Sequence, residues 1–355
     1  MFEQRLKNLQ KSLAENKIDA LIVSSAVNIA YLTGYSNFSK DEREAYLFIT
    51  ESNAILFTDG RYIEAVRDIL PKGINVFLHT ELYKRIKSSK LKRIGVEQNF
   101  TVAELKRFKK ETGLHFVLIE SFVEQMRTVK DESEIKNIRA ACRLTDKTFK
   151  MIRPLIQNGV AEREIAWIIE KFIKEAGGEL AFDTIVAFGA NAAIPHHMSS
   201  NKKLLKSDQF VLLDFGVKVN GYCSDMTRTL LTKNASDRAK KIYETVLAAQ
   251  QKAIDYLGSG SDPEAKTVAK NANDYIVAQG FEKIPHGLGH GIGIAVHERP
   301  TLSPKSKDKL VRNNVFTIEP GIYVPGFGGV RIEDDFILSD KLEQLTKSQK
   351  ELIEI

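Results

Sequence analysis

Four carboxylates and one histidine, Asp214, Asp225, His290, Glu319 and Glu333, each sit inside an apolar or glycine-rich stretch of the last two-fifths of this chain. An isolated carboxylate stripped of water is too costly for a domain to carry. Acids embedded in runs such as FVLLDFGV and VFTIEPGIYV therefore require a compensating cation. Carboxylate and imidazole donors suit manganese, cobalt, zinc or iron(II), and the lack of a thiolate argues against a structural zinc site. The arrangement reads as a buried pair of divalent metal ions.

The spacing supports that reading. QFVLLDFGVKVNGYCSDMTRTLLT is two strand-patterned runs around Val-Asn-Gly, a hairpin signal because Asn and Gly tolerate positive φ. A turn centred on Val219-Asn220 sets Asp214 across from Asp225, whereas one centred on Asn220-Gly221 makes them diagonal neighbours on the same face. In either register two like charges meet, and one must protonate unless a cation lies between them. Near the end, Glu319 and Glu333 close two apolar runs joined by a Pro- and Gly-rich loop, so a return of the chain brings them side by side. The run IPHGLGHGIGIAVHERP holds three of the seven histidines, His286, His290 and His297. It fits neither HExxH, since Arg-Pro follows His297-Glu298, nor a GxGxxG phosphate cradle, since its glycines fall at other offsets.

These residues need a frame. Residues 1–125 alternate helical periodicity with the strand-like runs DALIVSS, AYLFIT, AILFTD, INVFLH, RIGVEQ and HFVLIE, which predicts a smaller α/β domain. The charged stretch MRTVKDESEIKNIR then opens a long amphipathic helix with Ile135, Ile138, Cys142, Phe149 and Ile152 on one face, so a second domain is expected over 126–355. Ser133 is the expected cap, although Lys136 stands where a capping box would have Glu. Further helices are predicted over about 162–175, 237–257 and 264–278, with strands at 210–232 and 315–338. The order of helix pair and strand pair, repeated, predicts an α+β unit in which helices back one side of an antiparallel sheet.

The joint pattern resembles the pita-bread metallopeptidases, the family of Xaa-Pro dipeptidase (prolidase) and Xaa-Pro aminopeptidase (aminopeptidase P). It does so along the whole chain. The family's ligand order Asp, Asp, His, Glu, Glu is met by Asp214 in LLDFG, Asp225 in CSDMTR, His290 in GLGHGIG, Glu319 in TIEPGIY and Glu333 in VRIED. NIAYLTGY and FTDGRYIEA resemble the family's smaller N-terminal domain. The resemblance implies a curved antiparallel sheet and two divalent ions, manganese first among the candidates. It further implies that Asp225 and Glu333 bridge the ions, Asp214 binds one, and His290 and Glu319 bind the other. Glu319 is also expected to pass protons. His196 in AIPHHMSS and His297 in AVHERP correspond to the family's substrate histidines, with His197 the alternative to His196, and Arg331 in GGVRIED to an arginine near the metals.

The implied activity is hydrolysis of peptides with proline at the second position, with aminopeptidase action expected and dipeptidase action as the alternative. A metal-free, creatinase-like hydrolase or a non-catalytic peptide-binding module would have a broken ligand set, and all five ligands are present. The family also implies a homodimer. Composition is compatible with this picture. A net charge of +6 over 52 basic and 46 acidic residues, with the lysines scattered, does not point to nucleic acid. No apolar run spans a bilayer and the first residues lack a leader pattern, so a cytoplasmic protein is expected. Cys142 and Cys223 show no metal or disulfide spacing and are expected to be small buried hydrophobes.

Overall fold

The computed structural model describes all residues except 40, 206 and 260–262. The chain divides into two compact units, Met1–Arg127 and Thr128–Ile355. In the first, all six strand-like runs form strands: β1 (Ala20–Val23), β2 (Ala45–Thr50), β3 (Ala54–Thr58), β4 (Ile74–Leu78), β5 (Ile94–Glu97) and β6 (Phe116–Ile119). They make one sheet in the order β4-β3-β2-β1-β5-β6. β2 runs antiparallel to β1 and β3, and the outer pairs are parallel. Phe108, from the helix Val102–Thr112, is fully buried with the rings of Tyr46, Tyr83, Phe100 and Phe116 around it at 5.1–5.8 Å.

The second unit opens with the helix Glu132–Ile152, whose predicted stripe of Ile135, Ile138, Cys142, Phe149 and Ile152 is buried. Its cap is Asp131 rather than Ser133. The Asp131 carboxylate accepts from the backbone N–H groups of Ser133 and Glu134, and the Glu134 side chain accepts from the Asp131 N–H, a reciprocal capping box. Three further helices follow, Glu162–Glu175, Asp237–Ser259 and Ala265–Ala278. The strands are β7 (Glu179–Leu180), β8 (Ile185–Phe188), β9 (Phe210–Phe215), β10 (Val217–Val219), β11 (Tyr222–Cys223), β12 (Met226–Leu231), β13 (Gly289–Gly291), β14 (Glu298–Leu302), β15 (Asn314–Ile318), β16 (Gly321–Val324), β17 (Gly328–Arg331), β18 (Asp334–Leu338) and β19 (Leu342–Gln344). They pair as β11-β10-β7, β12-β9-β8, β14-β13-β15-β18-β19 and β16-β17, antiparallel throughout.

β9 is apolar on both faces because both faces are covered. Val211, Leu213 and Phe215 pack in one cluster with Ile152, Ile165, Ile169 and Ile173 of the first helix pair. Phe210 and Leu212 join another with the helices Asp237–Ser259 and Ala265–Ala278. Asp214 continues the second row, so alternation along one strand places a charge at the end of an apolar stripe.

Candidate metal centre

The hairpin takes the Asn220-Gly221 register. Val219 pairs with Tyr222 and Thr227 with Asp214. Asn220 and Gly221 have φ of 49° and 83°, the left-handed pair a two-residue hairpin turn demands. Asp225 is thus the diagonal neighbour of Asp214 on the same face. β15 and β18 pair Ile318 with Asp334, and β16 and β17 pair Gly321 with Arg331, a single register that sets Glu319 opposite Glu333 between them. The Glu333 N–H donates to the Thr227 carbonyl, which joins this strand pair to the aspartate hairpin. His290 comes from β13, where Gly289 and Gly291 let other backbones approach: a Cβ on them would lie 2.0 Å from the Thr317 carbonyl oxygen and 2.1 Å from that of Arg299.

Five side chains far apart in sequence converge. Asp214, Asp225 and Glu333 form one group with ligand atoms within 4.8 Å of one another, and His290, Glu319 and Glu333 form a second. Glu333 belongs to both, and Asp225, His290 and His297 make a third, overlapping group. Asp214 Oδ1 and Asp225 Oδ1 are buried with no hydrogen-bond partner. Buried carboxylate oxygens are rarely left unpaired, so these two fit a cation. Burial, reinforced by the neighbouring acids, pushes the Asp225 and Glu333 carboxyls well above the usual range. Burial likewise carries Glu319 to about 8, against the pull of Arg331. Asp225, Glu319 and Glu333, held this way, resist ionising together until positive charge is supplied.

His290 is kept neutral. Burial, then its neighbour His297, lowers it to about 4. Its Nδ1 lies 3.1 Å from the Gly291 carbonyl, to which it donates, leaving the Nε2 lone pair 3.5 Å from Glu319 and 3.7 Å from Asp225. The His297 ring sits edge-on to it at 4.2 Å and is also lowered, by burial first and then by His196. His197, in contrast, bonds Glu162 at 2.9 Å. Glu162 also accepts from Phe188 N–H, Asn191 and Ser200, tying down the loop that carries His196.

Arg331 is fully committed within the protein. It donates to Asp214 at 2.5 Å, to Thr227 Oγ1 at 2.9 Å and to the Tyr323 hydroxyl at 3.0 Å. The Thr227 hydroxyl in turn donates a hydrogen bond to Glu333 Oε2 at 2.6 Å. Tyr323 lies 2.8 Å from His286 Nε2, and His286 Nδ1 lies 2.7 Å from the Gly287 carbonyl, so one tautomer satisfies the whole chain. Behind Glu333, the buried Arg228 holds its carbonyl and the Asp334 carboxylate. Asp335 accepts from the Asp225 N–H at 2.9 Å and from Cys142 Sγ at 3.3 Å. Thr227, Tyr323, Asp335 and Arg228 were not anticipated from the sequence. For Thr227, Tyr323 and Asp335 the signal available was strand alternation, because Asp225 and Thr227, Glu319 and Tyr323, and Arg331, Glu333 and Asp335 recur at period two; Arg228 falls on the opposite face and had no such signal.

The sequence pattern of metallopeptidase family M24 matches residues 136–340, and that of the creatinase/prolidase N-terminal domain matches residues 5–129. The chain belongs to metallopeptidase family M24, and its fold is the pita-bread fold preceded by a creatinase/prolidase-type N-terminal domain. Among its relatives is a Xaa-Pro dipeptidase from Pyrococcus horikoshii, 34% identical over 99% of each chain. Two solved structures superpose along the whole length. A Xaa-Pro dipeptidase from Bacillus anthracis has TM-score 0.92 at 33% identity and covers 100% of both chains. An X-Pro aminopeptidase from Thermotoga maritima has TM-score 0.89 at 32% identity and covers 99% of both. The chain is a peptidase of metal-dependent type. No helix among the described residues is long and apolar enough to cross a membrane.

Proposed function

We propose that this protein hydrolyses the peptide bond before proline, with two divalent ions held by Asp214, Asp225, His290, Glu319 and Glu333. The observation that carries the reading is the pair of overlapping ligand groups sharing Glu333, in a chain of this family. When bound, such ions supply a water of lowered pKa and positive charge against a developing oxyanion. Asp225 and Glu333 would be shared between the two ions, Asp214 would hold one, and His290 and Glu319 would hold the other. Manganese is the first candidate, with cobalt, zinc or iron as alternatives.

The remaining residues have distinct work. Glu319, buried beside the ions it would help to hold, is the carboxylate placed to pass protons to and from the reacting groups. His297, lowered by burial, is neutral at that pH and donates a hydrogen bond to the substrate carbonyl, as does His196. Arg331 holds Asp214 in place. An imide nitrogen has no N–H and its ring fixes the direction of the chain, so a dedicated pocket is the expected means of recognition.

Aminopeptidase action is the first reading, in a sequence that does not by itself separate it from dipeptidase action. The full-length relatives named Xaa-Pro dipeptidase favour dipeptides as a second reading. Parallel assays on Xaa-Pro and Xaa-Pro-Xaa peptides, after chelation and return of each metal, separate the two. Turnover of neither substrate with any of the four metals refutes the proposal. The same reading places the protein in the cytoplasm as a homodimer, since symmetric pairs are the commonest oligomer. Sedimentation at a monomer's mass would remove the dimer.

A further inference from the structure

Lys130 and Glu298 form an ion pair buried from both sides. Nζ lies 2.7 Å from Oε1, and the side chains are 0% and 5% exposed. Replacing such a pair with apolar groups is often neutral or stabilising, because desolvation consumes most of the attraction. Stability is therefore a poor reason for its presence, and its location offers another. Glu298 follows His297 directly and opens β14. Its backbone pairs with Gly291 across a register shift next to His290. Its carboxylate occupies the space beside Gly293, where a Cβ would lie 2.3 Å from Oε1. The Lys130 end is rooted elsewhere: its N–H donates to the Asn313 carbonyl, and the Thr128 carbonyl accepts from Asn314 Nδ2 at 3.0 Å, both at the entry to β15. The pair thus ties the strand start that presents His297 to the strand that leads to Glu319.

We propose that Lys130 is a positioning residue, which holds the His297 ring against His290 through its buried contact with Glu298. The proposal rests on the peptidase reading in assigning His297 to the substrate. Lys130 itself touches neither ligand nor substrate. Its loss leaves the four acids and His290 in place but frees the segment that aims His297. An effect transmitted through one residue disappears once that residue has been removed.

The test is a double-mutant cycle on the metal-loaded enzyme, with a Xaa-Pro dipeptide and a Xaa-Pro-Xaa tripeptide. Lys130→Met is expected to lower kcat/KM about 10- to 100-fold, the range typical of residues that orient an active group, with metal content unchanged. In a His297→Ala background the same substitution is expected to cost nothing further. Lys130→Arg is expected to restore most of the loss. Multiplying losses, or loss of metal in Lys130→Met, overturn the proposal. Should Lys130→Met fail to fold, Lys130→Met with Glu298→Met removes the unpaired charge; wild-type turnover in that double variant overturns the proposal equally. Histidine-selective NMR gives a readout independent of substrate. The His297 resonance, assigned by its loss in His297→Ala, should move in the Lys130 variant while that of His197 stays, and an unmoved His297 resonance overturns the inference. If wild-type protein turns over neither peptide, the peptidase reading fails and the spectrum still decides the role of Lys130.

Discussion

Asp214 and Asp225 each retain one buried carboxylate oxygen without a partner, although the protein satisfies their other oxygen or backbone with care. That combination is costly without a cation and stabilising with one. Asp225→Asn keeps the shape and removes the charge, so it should leave the circular dichroism spectrum intact. It should also lower bound metal and reduce kcat/KM by about 100-fold or more, beyond the loss typical of residues outside the ligand set. Near-wild-type turnover would show that Asp225 is no ligand. Glu319 sets a pH dependence in the metal-stripped protein. Glu319 binds its proton up to about pH 8 when folded but only to its ordinary 4.5 when unfolded, so the folded state loses stability as pH rises between those values. His286 and His290, lowered from 6.5 to about 4, act oppositely, but only below pH 6.5. Between pH 6.5 and 8 Glu319 is unopposed by these two histidines. The melting temperature of the stripped protein should fall across that window, and a saturating divalent ion should abolish the fall; a flat profile without metal would mean that Glu319 is already compensated. The five proposed ligands stand out in the sequence because each sits in an apolar or glycine-rich context where a polar group is anomalous. Thr227, Tyr323 and Arg228 do not, since hydroxyls and an arginine in a strand are unremarkable until their partners are known, 106 residues away for Thr227, 105 for Arg228 and 37 for Tyr323.

Elements bring these residues together through turns and close approaches that the sequence specifies unevenly. The aspartate hairpin was open between two registers, because Val219-Asn220 and Asn220-Gly221 both contain a residue tolerant of positive φ. The backbone resolves it, as only Asn220-Gly221 gives two such residues in succession. The cap of the Glu132–Ile152 helix shows the opposite case. Asp131 and Glu134 carry the complete capping-box pattern three residues apart, whereas Ser133 has Lys136 at the matching position. Asp131→Ala should therefore cost about 1 kcal/mol in chemical denaturation, while Ser133→Ala should cost less. β13 makes a sharper demand. Gly289→Ala would press a methyl into the Thr317 carbonyl and drive β13 off β15, at a cost of about 1–3 kcal/mol. Because His290 follows directly, metal affinity should fall with stability in titration calorimetry; unchanged affinity would mean that His290 is held by something other than this strand contact.

At the scale of the molecule, each unit has a buried apolar cluster of its own among the described residues. The buried cluster of Ala20, Phe48, Phe57, Val96 and Phe108 lies wholly before residue 128, and the three clusters that frame the metal centre lie wholly after it. The change from short strands to a long amphipathic helix made this division readable from periodicity, whereas the junction itself has no glycine- or proline-rich linker to mark it. All five proposed ligands fall between residues 214 and 333. A fragment of residues 128–355 should therefore unfold cooperatively and still bind the ions. Ligand that binds only the folded state raises stability by about 2.7 kcal/mol at a hundredfold excess over its Kd, so manganese at that level should raise the fragment's denaturation midpoint measurably. A fragment that folds yet ignores manganese would assign part of the site to residues before 128, because every proposed ligand is present in it and only the N-terminal unit has been removed.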